Sequence, residues 1–104
     1  MKYGLEEKTI EQIQTVFFNH QNVEKVALYG SRAKGNSKTG SDIDLTLYGR
    51  NLTLKTLHNI ENELDDLLLP NKIDLSIFSH ISNSELIEHI LRVGIVLYEK
   101  NRKS

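Results

Sequence analysis

The chain has 104 residues, of which 38% are hydrophobic and 26% are charged, so neither a disordered chain nor a membrane protein is expected. Its 13 basic residues against 14 acidic ones give a net charge of −1, which argues against a protein whose main task is coating nucleic acid. Cysteine is absent, which excludes disulfides, thiolate nucleophiles and cysteine-based zinc sites. We expect a single domain over residues 1–104, located in the cytoplasm.

The first half of the chain alternates between helix and strand signals. Apolar residues at helical spacing predict a helix over residues 6–20, and a short apolar run predicts a buried strand over 23–29. Residues 31–34 can form one helical turn, and the glycine-bounded polar stretch 35–40 predicts a loop. Strict alternation of aliphatic and polar residues then predicts a strand over 42–48.

The second half predicts four further elements: a helix over 54–68, a strand over 72–78, a helix stopped by Gly94 and a short strand over 95–98. Pro70 is expected to end the first of these helices, and Ser82 with Glu85 has the spacing of a capping box that opens the second. This order of elements indicates an α+β fold, in which a small mixed β-sheet is flanked by helices.

Three aspartates occupy related places in two strands that echo each other. Residues 43–48 and 73–78 each place an acid, then a hydroxyl, then an aromatic opposite the aliphatic face. If both strands lie in one sheet, Asp42, Asp44 and Asp74 share a face, where a magnesium ion would neutralise their repulsion. The same acids also suit the solvated side of two half-exposed strands, so the residues alone leave both interpretations open.

A glycine and a serine follow the first predicted strand. Free backbone N–H groups at the start of a helical turn, together with the Ser31 hydroxyl, can bind phosphate oxygens. Gly30 would let a ligand approach the backbone closely, and Arg32 and Lys34 add positive charge nearby. The alternative is an ordinary glycine turn after a strand.

Other polar features carry weaker signals. The histidines lack metal-ligand spacing and are predicted as surface or boundary residues: His20, His58, His80 and His89. The acidic run 61–66 suits the solvated side of the predicted helix. Gly30 and Gly35 have the glycine spacing of a P-loop, but Asn36 stands where that motif requires lysine. We therefore exclude a P-loop.

Together, three segments resemble the minimal nucleotidyltransferase (MNT) family of the DNA polymerase β-like nucleotidyltransferase superfamily. They are Gly-Ser-Arg-Ala-Lys-Gly at 30–35, Ser-Asp-Ile-Asp-Leu at 41–45 and Ile-Asp-Leu at 73–75. Lys34 stands where the family often has arginine, which keeps the charge. The resemblance covers nearly the whole chain and implies the polymerase β-like nucleotidyltransferase fold, as one nucleotidyltransferase domain.

The resemblance also implies roles for the motif residues. The catalytic and metal-binding residues would be Asp42, Asp44 and Asp74, and the nucleotide-binding residues would be Gly30, Ser31, Arg32 and Ser41. Two magnesium ions held by the aspartates would bridge the triphosphate of ATP, the implied substrate. Asp74 would share one ion and help to activate the attacking hydroxyl, while Gly30 and Ser31 would hold the β- and γ-phosphates.

A protein partner is a further implication of the resemblance. Small members of the family are typically encoded with a HEPN-domain protein, and they act as antitoxins that transfer AMP from ATP to a tyrosine of the HEPN ribonuclease. A chain this short is expected to have an open catalytic face rather than a deep acceptor pocket. Basic residues beside the acids (Arg32, Lys34 and Lys38) would steer the triphosphate and a negatively charged partner.

Two other functions fit the sequence. One is a binding module that neutralises its partner by contact, and the other is nucleotidyl transfer to a small molecule such as an aminoglycoside. The three intact aspartates count against the first, and the absence of an acceptor domain counts against the second. We expect no membrane association and no direct nucleic-acid binding. Both a homodimer and a hetero-oligomer are compatible with the sequence.

Overall fold

The computed structural model describes residues 1–36 and 40–100. Helices and strands follow in the order α1 (Glu7–Phe18), β1 (Val23–Tyr29), α2 (Ser31–Lys34), β2 (Ile43–Gly49), α3 (Leu54–Asp65), β3 (Ile73–Ile77), a 3₁₀ turn (Phe78–His80), α4 (Ser84–Val93) and β4 (Ile95–Glu99). Every predicted helix and strand is present, and residues 37–39 of the predicted loop lie outside the described residues. Lys38, to which the sequence analysis gives a steering role, lies outside the described residues.

The strands form one mixed sheet in the order β3-β2-β1-β4. β1 runs antiparallel to both β2 and β4, whereas β2 and β3 are parallel. A parallel pair needs a long crossover between its strands, and α3 supplies it. The predicted α+β fold with a mixed sheet is therefore confirmed.

The main core lies on one face of the sheet, beneath α1 and α3. Fully buried members include Ile13 and Phe17 of α1, Ile60 of α3 and the aliphatic residues of β2, namely Ile43, Leu45 and Leu47. Alternate side chains of a strand point to opposite faces, so this burial directs Asp44 and Thr46 to the other face. The core thus determines where the acids lie.

Helix α4 packs on that other face, against β1. Leu28 belongs to the main core, so its neighbour Tyr29 points away from it. The ring of His89 on α4 meets the ring of Tyr29 edge-on, with centroids 6.2 Å apart. Ile90, which is 2% exposed, anchors the helix, while Leu91 is 68% exposed and lies outside its buried face. Among the described residues, no helix is long and apolar enough to cross a membrane.

Predicted helix boundaries differ from the observed ones by one to three residues, and α1 ends at Phe18 rather than at 20. α3 ends at Asp65 rather than at 68, because the chain turns earlier: Leu68 adopts a left-handed conformation with φ 56° and is exposed to solvent. α4 is capped by Asn83, whose side chain accepts a hydrogen bond of 3.1 Å from the Leu86 N–H, so the capping box from Ser82 does not form. Asparagine is among the strongest N-cap residues and takes the position in its place.

Candidate active site

Two aspartates lie side by side on the face opposite the main core. The parallel register of β2 and β3 pairs Asp44 with Asp74, and the next pair on this face is Thr46 with Ser76. Strands are about 4.8 Å apart, so the two carboxylates are immediate neighbours. The Ser76 hydroxyl donates to Thr46 Oγ1 at 2.9 Å, which ties the strands together beneath the acids. The predicted juxtaposition of Asp44 and Asp74 is confirmed.

Asp42 completes the acidic group from the segment just before β2. Its side chain is exposed, as is that of Asp74, whereas Asp44 is half-buried. Burial raises the pKa of Asp44 above its ordinary value, and the negative charges of Asp74 and then Asp42 raise it further. His89 and Arg32 act on it in the opposite direction. The three carboxylates thus interact electrostatically on an open surface, where the sequence predicts them to share a face.

The Gly30 turn lies directly against Asp44. Gly30 adopts φ 77° and ψ −155°, a combination that residues with a side chain rarely adopt. A Cβ atom at this position would collide with Asp44 Oδ2. Helix α2 begins at the next residue, Ser31, and the Lys34 N–H donates to the Gly30 carbonyl at 3.1 Å. The backbone conformation therefore favours glycine here, and any side chain would have to push the Asp44 carboxylate aside.

Arg32 has a structural role that the sequence did not reveal. The residue is 4% exposed, and its guanidinium donates to the backbone carbonyls of Ser41 at 2.7 Å, Tyr3 at 2.9 Å and Asp42 at 3.2 Å. These bonds join the N-terminal turn to the segment that carries Asp42. The Ser41 carbonyl also accepts from Asn71 Nδ2 at 3.2 Å. Nucleotide binding by Arg32 and Ser41 stays a prediction. The structure shows instead that Arg32 fixes the segment before β2 through the Ser41 and Asp42 carbonyls.

His89 is the residue of the site that sequence analysis missed. It is partly exposed, which agrees with the predicted surface or boundary position, and its Nε2 accepts a hydrogen bond of 3.2 Å from the Gly30 N–H. The residues are 59 positions apart, and a single histidine next to Ile90 on an amphipathic helix gives no sign of such a contact. His20 is different, because its Nε2 lies 2.9 Å from Glu63 Oε2, away from the aspartates.

The donor set at the aspartates fits a hard divalent cation. Carboxylate oxygens are the ligands that magnesium prefers, and a cation would relieve the repulsion that raises the pKa of Asp44. Across residues 1–36 and 40–100, no three His, Cys, Asp or Glu side chains are already arranged as a metal-binding cluster. Metal binding by Asp42, Asp44 and Asp74 therefore stays a prediction, supported by the chemistry of the side chains.

Two sequence comparisons each match most of this chain. A family model described as polymerase beta nucleotidyltransferase matches residues 11–103. The protein MJ1217 of Methanocaldococcus jannaschii, whose name describes a protein adenylyltransferase, is 33% identical over 84 residues. The match covers 73% of this chain and 85% of that protein.

Solved structures share the fold. A toxin–antitoxin complex with AMP-PNP matches 94% of this chain and 77% of the other with a TM-score of 0.70 and 21% identity. The complex of a tri-AMPylated Shewanella oneidensis HEPN toxin with its MNT antitoxin matches 94% and 76%, with a TM-score of 0.68 and 17% identity. A minimal nucleotidyltransferase matches 91% and 95%, with a TM-score of 0.67 and 23% identity.

Proposed function

We propose that this chain, which belongs to the polymerase β nucleotidyltransferase family and is a nucleotidyltransferase, transfers AMP from ATP to a tyrosine hydroxyl of a HEPN-domain protein. The observation that carries the proposal is the pairing of Asp44 with Asp74 in register on β2 and β3, with the Gly30 turn against Asp44. That arrangement places two acids beside a glycine turn and leaves one of them, Asp74, exposed to an incoming acceptor.

The chemistry is an in-line displacement at the α-phosphorus of ATP. The acceptor oxygen forms a bond to that phosphorus, the bond to the β-phosphate oxygen breaks, and pyrophosphate leaves. Two magnesium ions held by Asp42, Asp44 and Asp74 would neutralise the charge on the attacking and leaving oxygens. The Asp74 carboxylate, exposed on its edge strand, takes the proton of the attacking hydroxyl.

The nucleotide is held from the other side of Asp44. Backbone N–H groups at the start of α2 and the Ser31 hydroxyl bind the β- and γ-phosphates, which approach closely because Gly30 has no side chain. Arg32 acts as a positioning residue, since its bonds to the Ser41 and Asp42 carbonyls hold the segment that carries the first acid. We also assign Ser41 to the nucleotide-binding surface beside that acid.

Several findings support a protein acceptor. Asp42 and Asp74 are exposed, so the acids lie on an open surface that a protein loop can reach. MJ1217 is named for adenylyl transfer to protein, and the Shewanella oneidensis complex contains a HEPN toxin that carries AMP groups. We accordingly propose an antitoxin that works in a hetero-oligomer with its HEPN partner. We further propose that the reaction takes place in the cytoplasm and that residues 1–104 form a single nucleotidyltransferase domain.

Mass spectrometry of the HEPN partner tests the proposal. After incubation with the wild-type protein, ATP and magnesium, we expect the partner to gain the mass of one or more AMP groups. The Asp42→Ala protein should add none, whereas the Asp66→Ala control, which changes an exposed acid at the end of α3, should act like wild type. If Asp42→Ala neutralises the partner equally well with no added mass, contact rather than catalysis is the mechanism.

A further inference from the structure

Gly30 is held at both of its backbone polar groups. Its carbonyl accepts the Lys34 N–H at 3.1 Å, which belongs to the turn of α2. Its N–H donates to His89 Nε2 at 3.2 Å, across the space between β1 and α4. The strand pairing of β1 with β2 stops one residue earlier, at Tyr29 with Asp44. His89 therefore supplies the hydrogen-bond acceptor for the first N–H beyond the β1–β2 pairing.

A restraint at this point matters because glycine is conformationally free. A Gly30 peptide without a partner could rotate, since nothing in its own side chain opposes other φ and ψ values. Its observed geometry determines how α2 starts and keeps its Cα directly against the carboxylate of Asp44. Rotation of the peptide would misplace the Ser31 N–H and hydroxyl relative to that carboxylate.

His89 is itself well anchored. Its ring lies edge-on against Tyr29, at an interplanar angle of 79°, and Tyr29 is one of the buried residues of β1. The next residue, Ile90, is 2% exposed and fixes α4 on the sheet. Because the acceptor on α4 is rigid and the Gly30 peptide is flexible, His89 holds the turn in place rather than the reverse.

We infer that His89 is a positioning residue for the nucleotide: by accepting the Gly30 N–H, it holds the turn in the conformation that presents Ser31 to the phosphates. The inference rests on the proposed function, because it assumes that ATP binds at this turn. His89 needs no contact with the nucleotide for this role. A glutamine side chain could substitute for it, since its amide oxygen accepts an N–H as the unprotonated ring nitrogen does.

Calorimetric titration of the full chain with ATP and magnesium tests this role. We expect His89→Leu to weaken ATP binding about fivefold, as loss of one orienting hydrogen bond would, and His89→Gln to recover most of that affinity. The control is His58→Leu, which replaces an exposed histidine of α3 and should bind ATP like wild type. A merely space-filling role for His89 would not distinguish glutamine from leucine in this way.

The outcomes separate this inference from the proposed function. A wild-type protein that does not bind ATP would overturn both. A folded His89→Leu protein with wild-type affinity, or a His89→Gln protein no better than His89→Leu, would overturn the positioning role alone. Hydrogen exchange of the Gly30 amide in the wild-type protein requires no variant: we expect slow exchange, and exchange at the rate of an unprotected amide would contradict the contact with His89.

Discussion

The strands β2 and β3 repeat one sequence pattern, yet their aspartates lie in different surroundings. β2 is an inner strand between β1 and β3, and β3 is an edge strand of the described sheet. Asp44 is accordingly half-buried, with the Gly30 turn against its carboxylate, whereas Asp74 is exposed. The same local pattern thus produces one enclosed acid and one accessible acid, and position in the sheet decides which is which.

The difference suggests a division of labour on the catalytic face. Asp44 touches the turn assigned to the phosphates, so it belongs to the nucleotide side of the site. Asp74 lies on the outer strand, where an acceptor can approach without displacing other parts of the chain. Substitutions at these residues and at their neighbours test whether the two aspartates differ in this way.

Neutralising either aspartate should abolish transfer, by different routes. We expect Asp44→Asn and Asp74→Asn each to lower the rate of AMP transfer by more than about 100-fold, since each removes a charge from the metal-binding set. Calorimetry with ATP and magnesium should separate them: Asp44→Asn loses most of the affinity, and Asp74→Asn keeps most of it. Equal loss of affinity in both variants would contradict the division of labour.

A side chain at Gly30 should eliminate ATP binding, because its Cβ would push the Asp44 carboxylate out of place and would occupy the space through which the phosphates approach the turn. Gly35→Val provides a matched control at the other end of α2. Gly35 has a similar φ of 82°, so valine is strained there too, but its Cβ would meet nothing within 4 Å. Titration of Gly30→Val with ATP should show no binding while Gly35→Val still binds. Equal affinities would place the phosphates elsewhere.

Loss of the Arg32 guanidinium should lower the stability of the fold. Its effect on the rate of AMP transfer should be indirect, through the position of the segment that carries Asp42. Arg32→Leu removes the donor to the carbonyls of Tyr3 and Asp42 and leaves the Ser41 carbonyl with Asn71, and we expect the free energy of unfolding in urea to fall by about 2 kcal/mol. Arg92→Leu is the control, because its ion pair with Glu88 is exposed and contributes under about 0.5 kcal/mol. An Arg32→Leu protein as stable as Arg92→Leu would contradict the structural role.

The smallest effect is a gain in stability without metal. The pKa of Asp44 is raised in the folded state above its ordinary 3.8, so the folded protein holds that proton more tightly than the unfolded chain. Stability from this group therefore falls as pH rises from 3.8 through the raised pKa. At neutral pH, Asp44→Asn should increase the free energy of unfolding by about 0.2–1 kcal/mol, and Asp74→Asn by less.

Urea unfolding at several pH values, with a chelator present, measures this gain. The Asp44→Asn protein should lack the wild-type loss of stability across that pH range. A variant less stable than wild type at pH 7 would mean that the Asp44 carboxylate makes favourable contacts that outweigh its burial and its repulsion by Asp74.

The strands and the acidic face could be predicted from sequence because both depend on local periodicity. Alternation over 42–48 and 72–78 determines which side chains face the core, and the shared pattern indicates that Asp44 and Asp74 share a face. The Gly30 turn is equally local, since a glycine and a serine after a buried strand restrict what the backbone can do there. These features need no knowledge of distant contacts.

Features that depend on distant contacts were missed. In the sequence, Arg32 is read only as a positive charge near the phosphates. Its three acceptors are backbone carbonyls, and because every residue has one, no sequence pattern reveals which of them it binds. His89 meets Gly30 only because α4 returns across β1. The early end of α3 has a different, local cause. Leu68 adopts a left-handed backbone conformation, which leucine rarely adopts and which helix propensity does not predict.

Pyrophosphate release reports whether this acidic face breaks the bond between the α-phosphorus of ATP and the oxygen that bridges it to the β-phosphate. The wild-type protein, incubated with its HEPN partner, ATP and magnesium, should release one pyrophosphate for each AMP added. Asp44→Asn should release none, and the exposed-acid control Asp66→Asn should match wild type. Release of orthophosphate instead, or undiminished pyrophosphate release by Asp44→Asn, would contradict the account.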